Sequence, residues 1–133
     1  MLKDLFPPSS TPGNLAGAAL KTFFNIAELW QLTDYEQRIL LGGLSKTIFS
    51  KWKRGQCSHL SHDTLERISY ILGIYKALQI LLPDAQTADA WIHKPNASPL
   101  FAGQSALKRM LSGNVSDLFL IREYLDAQHG GRI

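Results

Sequence analysis

The stretch from Ser45 to Arg54, SKTIFSKWKR, holds four cations, three short hydroxyls and no acid. That composition suits contact with a polyanion better than it suits bond-making. Ile48, Phe49 and Trp52 recur at helical steps, which predicts a helix with those three turned inward. Ser45, Lys46, Thr47, Ser50, Lys51, Lys53 and Arg54 are then left to face outward as the candidate DNA-binding set. A helix of this kind fits the major groove, its first turn reaching base edges and its basic end meeting phosphates. The same pattern also fits a solvated basic face that keeps the shape without binding DNA, and the dependence of binding on salt separates the two.

Other reactive residue types do not assemble into a site. Cys57, His59 and His62 have a spacing reminiscent of metal ligands, but a structural zinc needs four, and His93 and His129 are far along the chain with no second cysteine. Gly103-Gln104-Ser105 begins like a nucleophile elbow, yet lacks the closing glycine and the strand before it. Phosphate-cradling glycine loops and HExxH are absent from the sequence. The expectation is a protein that binds rather than catalyses, with no metal and no cofactor.

The elements that must position the basic helix read as all-α, since no stretch alternates with period two strongly enough for a strand. Leu20, Phe23, Phe24, Ala27 and Trp30, with Leu29, mark an amphipathic first helix starting near Ala16. Thr33 and Glu36 form a capping box that opens a short helix through Ile39, Leu40 and Leu41, stopped by Gly42-Gly43. Ser45 caps the basic helix and Gly55 stops it, so the two short helices form a helix-turn-helix. Ser61 caps the longest helix, again with a capping-box acid region at Asp63 and Thr64, and its stripe of Leu65, Ile68, Leu72, Tyr75, Leu78 and Leu82 is widened by Ile71, Ile74 and Leu81. A stripe so wide predicts a spine packed on two sides. Gly73 within it predicts a kink or a close helix contact, and Pro83-Asp84 ends it. A short helix over about Ala85 to Ile92 follows.

Composition sets outer bounds. A chain of 133 residues, 45% hydrophobic and 19% charged, is long enough to fold without staples. One cysteine excludes an internal disulfide. The N-terminal MLKDLFPPSSTPGN lacks the pattern of a secretory signal, and no apolar run reaches the length of about 18 residues needed to cross a bilayer, so a cytoplasmic location is expected. The net charge of +3 resides in residues 1–60, with seven basic and four acidic side chains against seven of each in 61–133. A polyanion therefore suits the first half, and a protein partner suits the neutral second half.

That second half ends in a distinctive pattern. Trp91 is expected to be a core anchor with its indole N–H bonded, and Asn96, after Pro95, a turn former. Leu118, Phe119, Leu120 and Ile121 are consecutive in the last helix and cover more than one core-facing stripe, so part of that surface must meet another molecule. Trp91, Pro95-Asn96, a leucine before Gly103, Ala106-Leu107, Leu111, Gly113 and an apolar helix ending in Gly130-Gly131 together resemble the toxin-binding domain of the Xre/MbcA/ParS antitoxins. The front half is similar to these antitoxins in Leu29-Trp30, Tyr35-Glu36, Leu40-Leu41-Gly42, Ser45-Lys46-Thr47, Trp52-Lys53, Leu60-Ser61 and Thr64 to Ile68. The resemblance spans about residues 20–131.

It implies a type II antitoxin with an N-terminal helix-turn-helix, a long central helix and a small C-terminal helical domain that neutralises a RES-domain toxin acting on NAD. The division that follows is an N-terminal arm (1–15), a DNA-binding and dimerisation unit (16–82) and a toxin-binding unit (83–133). The toxin-binding set is Phe119, Arg122, Tyr124, Gln128, His129, Gly130, Gly131, Arg132 and Ile133, with the last four residues read as a flexible tail entering the toxin's site. Partners are then the cognate toxin, operator DNA that the antitoxin autorepresses, and a second copy of the chain, with no membrane. The alternative is a stand-alone helix-turn-helix regulator whose C-terminal helices serve dimerisation.

Overall fold

The computed structural model describes residues 12–128 and residue 133. Among these are seven α-helices and one 3-10 turn: α1 Pro12–Leu29, α2 Asp34–Leu40, α3 Lys46–Lys53, α4 His62–Leu81, α5 Ala85–Ala90, the 3-10 turn Trp91–His93, α6 Ala106–Met110 and α7 Val115–Asp126. The all-α expectation holds.

The helix boundaries follow local chemistry. Thr33 Oγ1 accepts from Glu36 N–H at 3.1 Å while Glu36 Oε1 receives Thr33 N–H at 2.8 Å, so the capping box is closed. Ser45, Ser61 and Ser105 each cap a helix by accepting the backbone N–H three residues on. Asp84 caps α5 through Thr87, and the bonds from the Thr87 hydroxyl and N–H hold its carboxyl below the ordinary aspartate range. What that cap contributes is therefore complete above the ordinary aspartate pKa and is lost as the pH falls through the lowered one.

Three local expectations are corrected. α1 begins at Pro12 rather than near Ala16, because proline at a first helical position loses no needed N–H and its fixed φ suits the helix. Asp63 closes no capping box; its Oδ2 instead takes Arg67 Nε at 2.8 Å, one turn on. The Ala85–Ile92 helix is Ala85–Ala90, tightening into the 3-10 turn.

α4 is the spine. Ile71, Leu72, Gly73 and Ile74 are buried in succession, and four consecutive positions at about 100° each leave no side of the helix open to solvent at that turn. α1 covers one flank and α7 the other, with α5 folded back against the C-terminal end. Gly73 is a close contact: a Cβ there would stand 2.5 Å from Arg122 Nε of α7. One continuous apolar cluster runs from Ala16 and Phe23 through Ile68 and Leu78 to Ile92, Met110 and Leu125.

Smaller links fix the rest. His93 Nε2 donates to the Trp30 carbonyl at 2.6 Å, tying the end of α1 to the 3-10 turn. Gln79 Nε2 donates to Asp89 Oδ1 at 2.9 Å, joining α4 to α5. Arg109 grips Asp117 by Nε and Nη2, both at 3.0 Å, and donates Nη1 to the Leu100 carbonyl at 2.9 Å, which sets the angle between α6 and α7.

Ile74 has no exposed surface, so Ile74→Ala should cost about 2–5 kcal/mol in a denaturant melt, and both halves should unfold in one transition. Gly73→Ala should change stability by less than about 1 kcal/mol, because the gain in helix propensity offsets swinging the end of a flexible Arg122 side chain aside.

Candidate nucleic-acid and partner interfaces

The turn between α2 and α3 is built on glycine and one arginine. Gly42 has φ +111° and Gly43 φ +84°, a region that side chains with a Cβ resist. The Arg38 carbonyl accepts from both Gly43 N–H and Leu44 N–H, at 2.8 and 3.1 Å, and its Nε donates back to the Leu44 carbonyl at 2.8 Å. Thr64 donates a long 3.5 Å bond to the Leu41 carbonyl, seating this turn on the start of α4.

α3 has Phe49 buried and Trp52 half-buried against the body. Ser45, Lys46, Thr47, Ser50, Lys51, Lys53 and Arg54 are all exposed, so the arrangement brings the seven candidate DNA-binding residues to the surface of one helix. Two of them have other engagements. Ser45 Oγ is the acceptor of the cap, which leaves its proton as the part free to donate. Lys53 Nζ stands 4.9 Å from the centroid of Phe24 and 5.9 Å from that of Phe49, a cation–π arrangement that turns it toward α1. Ile48 is a correction: it is exposed rather than inward, because it falls on the rim between Lys51 and Trp52.

Between α2 and α3 runs a groove lined by Asp34, Tyr35, Arg38, Lys46, Phe49 and Ser50. Tyr35 and Arg38 were not among the residues singled out for DNA. Tyr35 is 65% exposed, a property that helical spacing in so short a helix does not reveal.

On α7 the four consecutive apolar residues divide in two. Leu118 and Ile121 are buried, while Phe119 and Leu120 keep 41% and 39% of their surface. Phe119 lies edge-on to Tyr70 of α4, ring centroids 5.7 Å apart, and the Tyr70 hydroxyl donates to Glu66 at 2.9 Å. That bond is the first cause of a phenol pKa raised above the ordinary tyrosine value. Tyr70 therefore joins the apolar face, which spacing along α7 alone does not reveal. Arg122 lies on the α4 side, over Gly73 and 3.7 Å from Asp126.

Tyr124 and Gln128 sit on the other edge of α7. Tyr124 packs edge-on to Phe101 at 5.4 Å, and Phe101 on Trp91 at 5.7 Å; Gln128 Nε2 donates to the Tyr124 carbonyl at 2.9 Å. Among the described residues, the candidate toxin-binding side chains of Arg122, Tyr124 and Gln128 thus straddle the exposed strip of α7 rather than forming one patch with Phe119. His129, Gly130, Gly131 and Arg132 lie outside the described residues. Ile133 is not free: its backbone oxygen accepts from Trp91 Nε1 at 3.0 Å and from Asn96 Nδ2 at 3.3 Å. That corrects the reading of this residue as part of an unattached tail, and it bears out the bonded indole of Trp91. Asn96 also makes its turn, with Oδ1 accepting from Ser98 N–H at 2.8 Å.

Cys57 donates its thiol to the His59 carbonyl at 3.3 Å. No group of three or more His, Cys, Asp or Glu side chains comes together among the described residues. Nor, among them, is any helix long and apolar enough to cross a membrane.

Comparison with known proteins divides the chain into two matched regions. Residues 13–73 match the antitoxin Xre-like helix-turn-helix domain, and residues 77–131 match the antitoxin Xre/MbcA/ParS C-terminal toxin-binding domain. The uncharacterized protein y4oB of Sinorhizobium fredii (strain NBRC 101917 / NGR234) is 46% identical over 124 residues, covering 93% of each chain. With both domains matched in order along the chain, the protein belongs to the Xre/MbcA/ParS antitoxins, a helix-turn-helix joined to a C-terminal toxin-binding domain.

Proposed function

We propose that this antitoxin neutralises a RES-domain toxin that consumes NAD, by covering the toxin's site with α7 and the chain that follows it, and that it represses its own operon as a dimer bound to DNA. The observation that carries the first part is the uncovered apolar strip of α7, where Phe119 and Leu120 stay exposed beside Tyr70. A second polypeptide is the natural cover for such a strip. Arg122, Tyr124 and Gln128 flank it with polar groups, in the manner of a polar rim around an apolar centre. Beyond it, Arg132 supplies a cation for an acidic group of the toxin.

The DNA part rests on α3. Its exposed Lys46, Thr47, Ser50, Lys51 and Arg54 combine donors for base edges with charges for phosphates. One recognition helix reads a short site weakly, whereas a two-fold pair reads two half-sites, which is the argument for a dimer. Residues 16–82 then serve DNA and dimerisation, and 83–133 the toxin.

Co-expression with the cognate toxin tests the first part. The Phe119→Ala, Leu120→Ala double variant should keep its helical content, with some loss of thermal midpoint from the Phe119–Tyr70 contact, yet lose neutralisation by tenfold or more, about 1.4 kcal/mol or above. Removal of residues 128–133 should likewise release toxin activity from a folded antitoxin; undiminished inhibition after both changes would return the closing helices to a dimerisation role.

Operator binding measured across salt tests the second part. Lys46→Ala and Lys51→Ala should each flatten the slope of log affinity against log salt by about 0.9, while Lys53→Ala should flatten it by less because that ammonium rests over Phe24.

A further inference from the structure

Trp91 is 7% exposed, and a buried indole N–H without a partner costs stability that a bonded one does not. Its partner is the Ile133 backbone oxygen, 42 residues away along the chain, at 3.0 Å. Asn96 Nδ2 donates to the same oxygen at 3.3 Å. Two donors converging on one backbone oxygen form a small clamp, and both are braced by their neighbours. The Trp91 ring packs edge-on to Phe101 at 5.7 Å, itself braced by Tyr124 of α7 at 5.4 Å.

Asn96 is fixed from three directions. Its Oδ1 accepts from Ser98 N–H at 2.8 Å, its N–H donates to the Gln104 carbonyl at 3.0 Å, and its own carbonyl accepts from Gly103 N–H at 2.8 Å. The turn that allows this needs Ala102 at φ +51° and Gly103 at φ +84°, backbone angles that local bonding must sustain. With the side-chain oxygen committed to Ser98, the Nδ2 side of the amide has one direction left, and Ile133 lies along it.

We propose that Trp91 and Asn96 are positioning residues which grip the chain at Ile133 and thereby fix where that residue meets the toxin. The inference rests on the reading above that the closing segment takes part in neutralisation. A clamp of this kind removes conformational freedom before the partner arrives, so less ordering has to be done on binding. Ile133 packs its side chain against the core as well, which adds an apolar hold to the two polar ones.

The clamp is tested apart from the toxin by the indole N–H signals of the intact chain, which has three tryptophans, with Trp91 assigned by Trp91→Phe. Removing residues 129–133 should shift the Trp91 signal and speed its hydrogen exchange by about tenfold. Asn96→Asp keeps the acceptor for Ser98 and hence the turn, but puts an acceptor where Ile133 needs a donor. In the full-length chain it should shift the same indole signal and weaken neutralisation by about tenfold, equivalent to about 1.4 kcal/mol.

A residue that only shapes the turn would tolerate Asn96→Asp, so native neutralisation and an unmoved indole signal in that variant overturn the clamp. If removal of 129–133 abolishes neutralisation while Asn96→Asp does not, the segment acts without being positioned and the proposal falls alone. If removal leaves neutralisation intact, the reading beneath it falls, and an indole signal indifferent to the removal sinks the clamp as well.

Discussion

The burial of α4 on every side at its middle turn, residues 71–74, is the constraint on which the rest depends. Ile68, Ile71, Leu72, Ile74 and Leu78 are all at or below 1% exposure, and at about 1.5–3 kcal/mol for each such side chain their burial is comparable to the whole net stability of a small domain. α1 has one apolar stripe and α7 another, and neither has anywhere else to place it. The two family domains meet along this helix, the first ending at residue 73 and the second starting at 77. The boundary between them therefore falls inside a single buried element of one shared core.

Much of this was legible because it is local. Thr33 with Glu36, Ser45, Ser61 and the Gly42-Gly43 stop are statements about a few neighbouring backbone groups, and all hold. The two-sided spine was legible too, since a stripe as wide as that of α4 has no single-sided solution. What stayed hidden is relational. Ile48 looked inward by helical spacing, yet whether the rim of a short helix is covered depends on how far its neighbours reach. The tilt of Lys53 toward Phe24 requires knowing that α1 passes beneath the end of α3. Tyr70 beside Phe119 joins residues 49 positions apart, and no periodicity within either helix encodes that.

The candidate sites divide along the same line. The basic face was readable as a set, because seven residues within ten positions on one helix need only the helix to bring them together. The exposed apolar strip was readable in kind and only partly in membership. An excess of apolar side chains on α7 is a property of α7 alone, but which of Leu118, Phe119, Leu120 and Ile121 stay uncovered is decided by the placement of α4. The answer, the middle pair, follows from Leu118, Ile121 and Leu125 forming the inward stripe at three- and four-residue steps.

The two surfaces differ in physical kind. The α3 face is cationic and its attraction to a polyanion is screened by salt, whereas the α7 strip is apolar and its burial is not. Conditions that loosen one contact therefore leave the other largely in place. Yet both surfaces stand on the same core, so a ligand that binds only the folded chain stabilises all of it, whichever face it takes. A toxin seated on α7 and DNA seated against α3 would each reinforce the packing of α4 that presents the other, with no conformational change required of the helices between them.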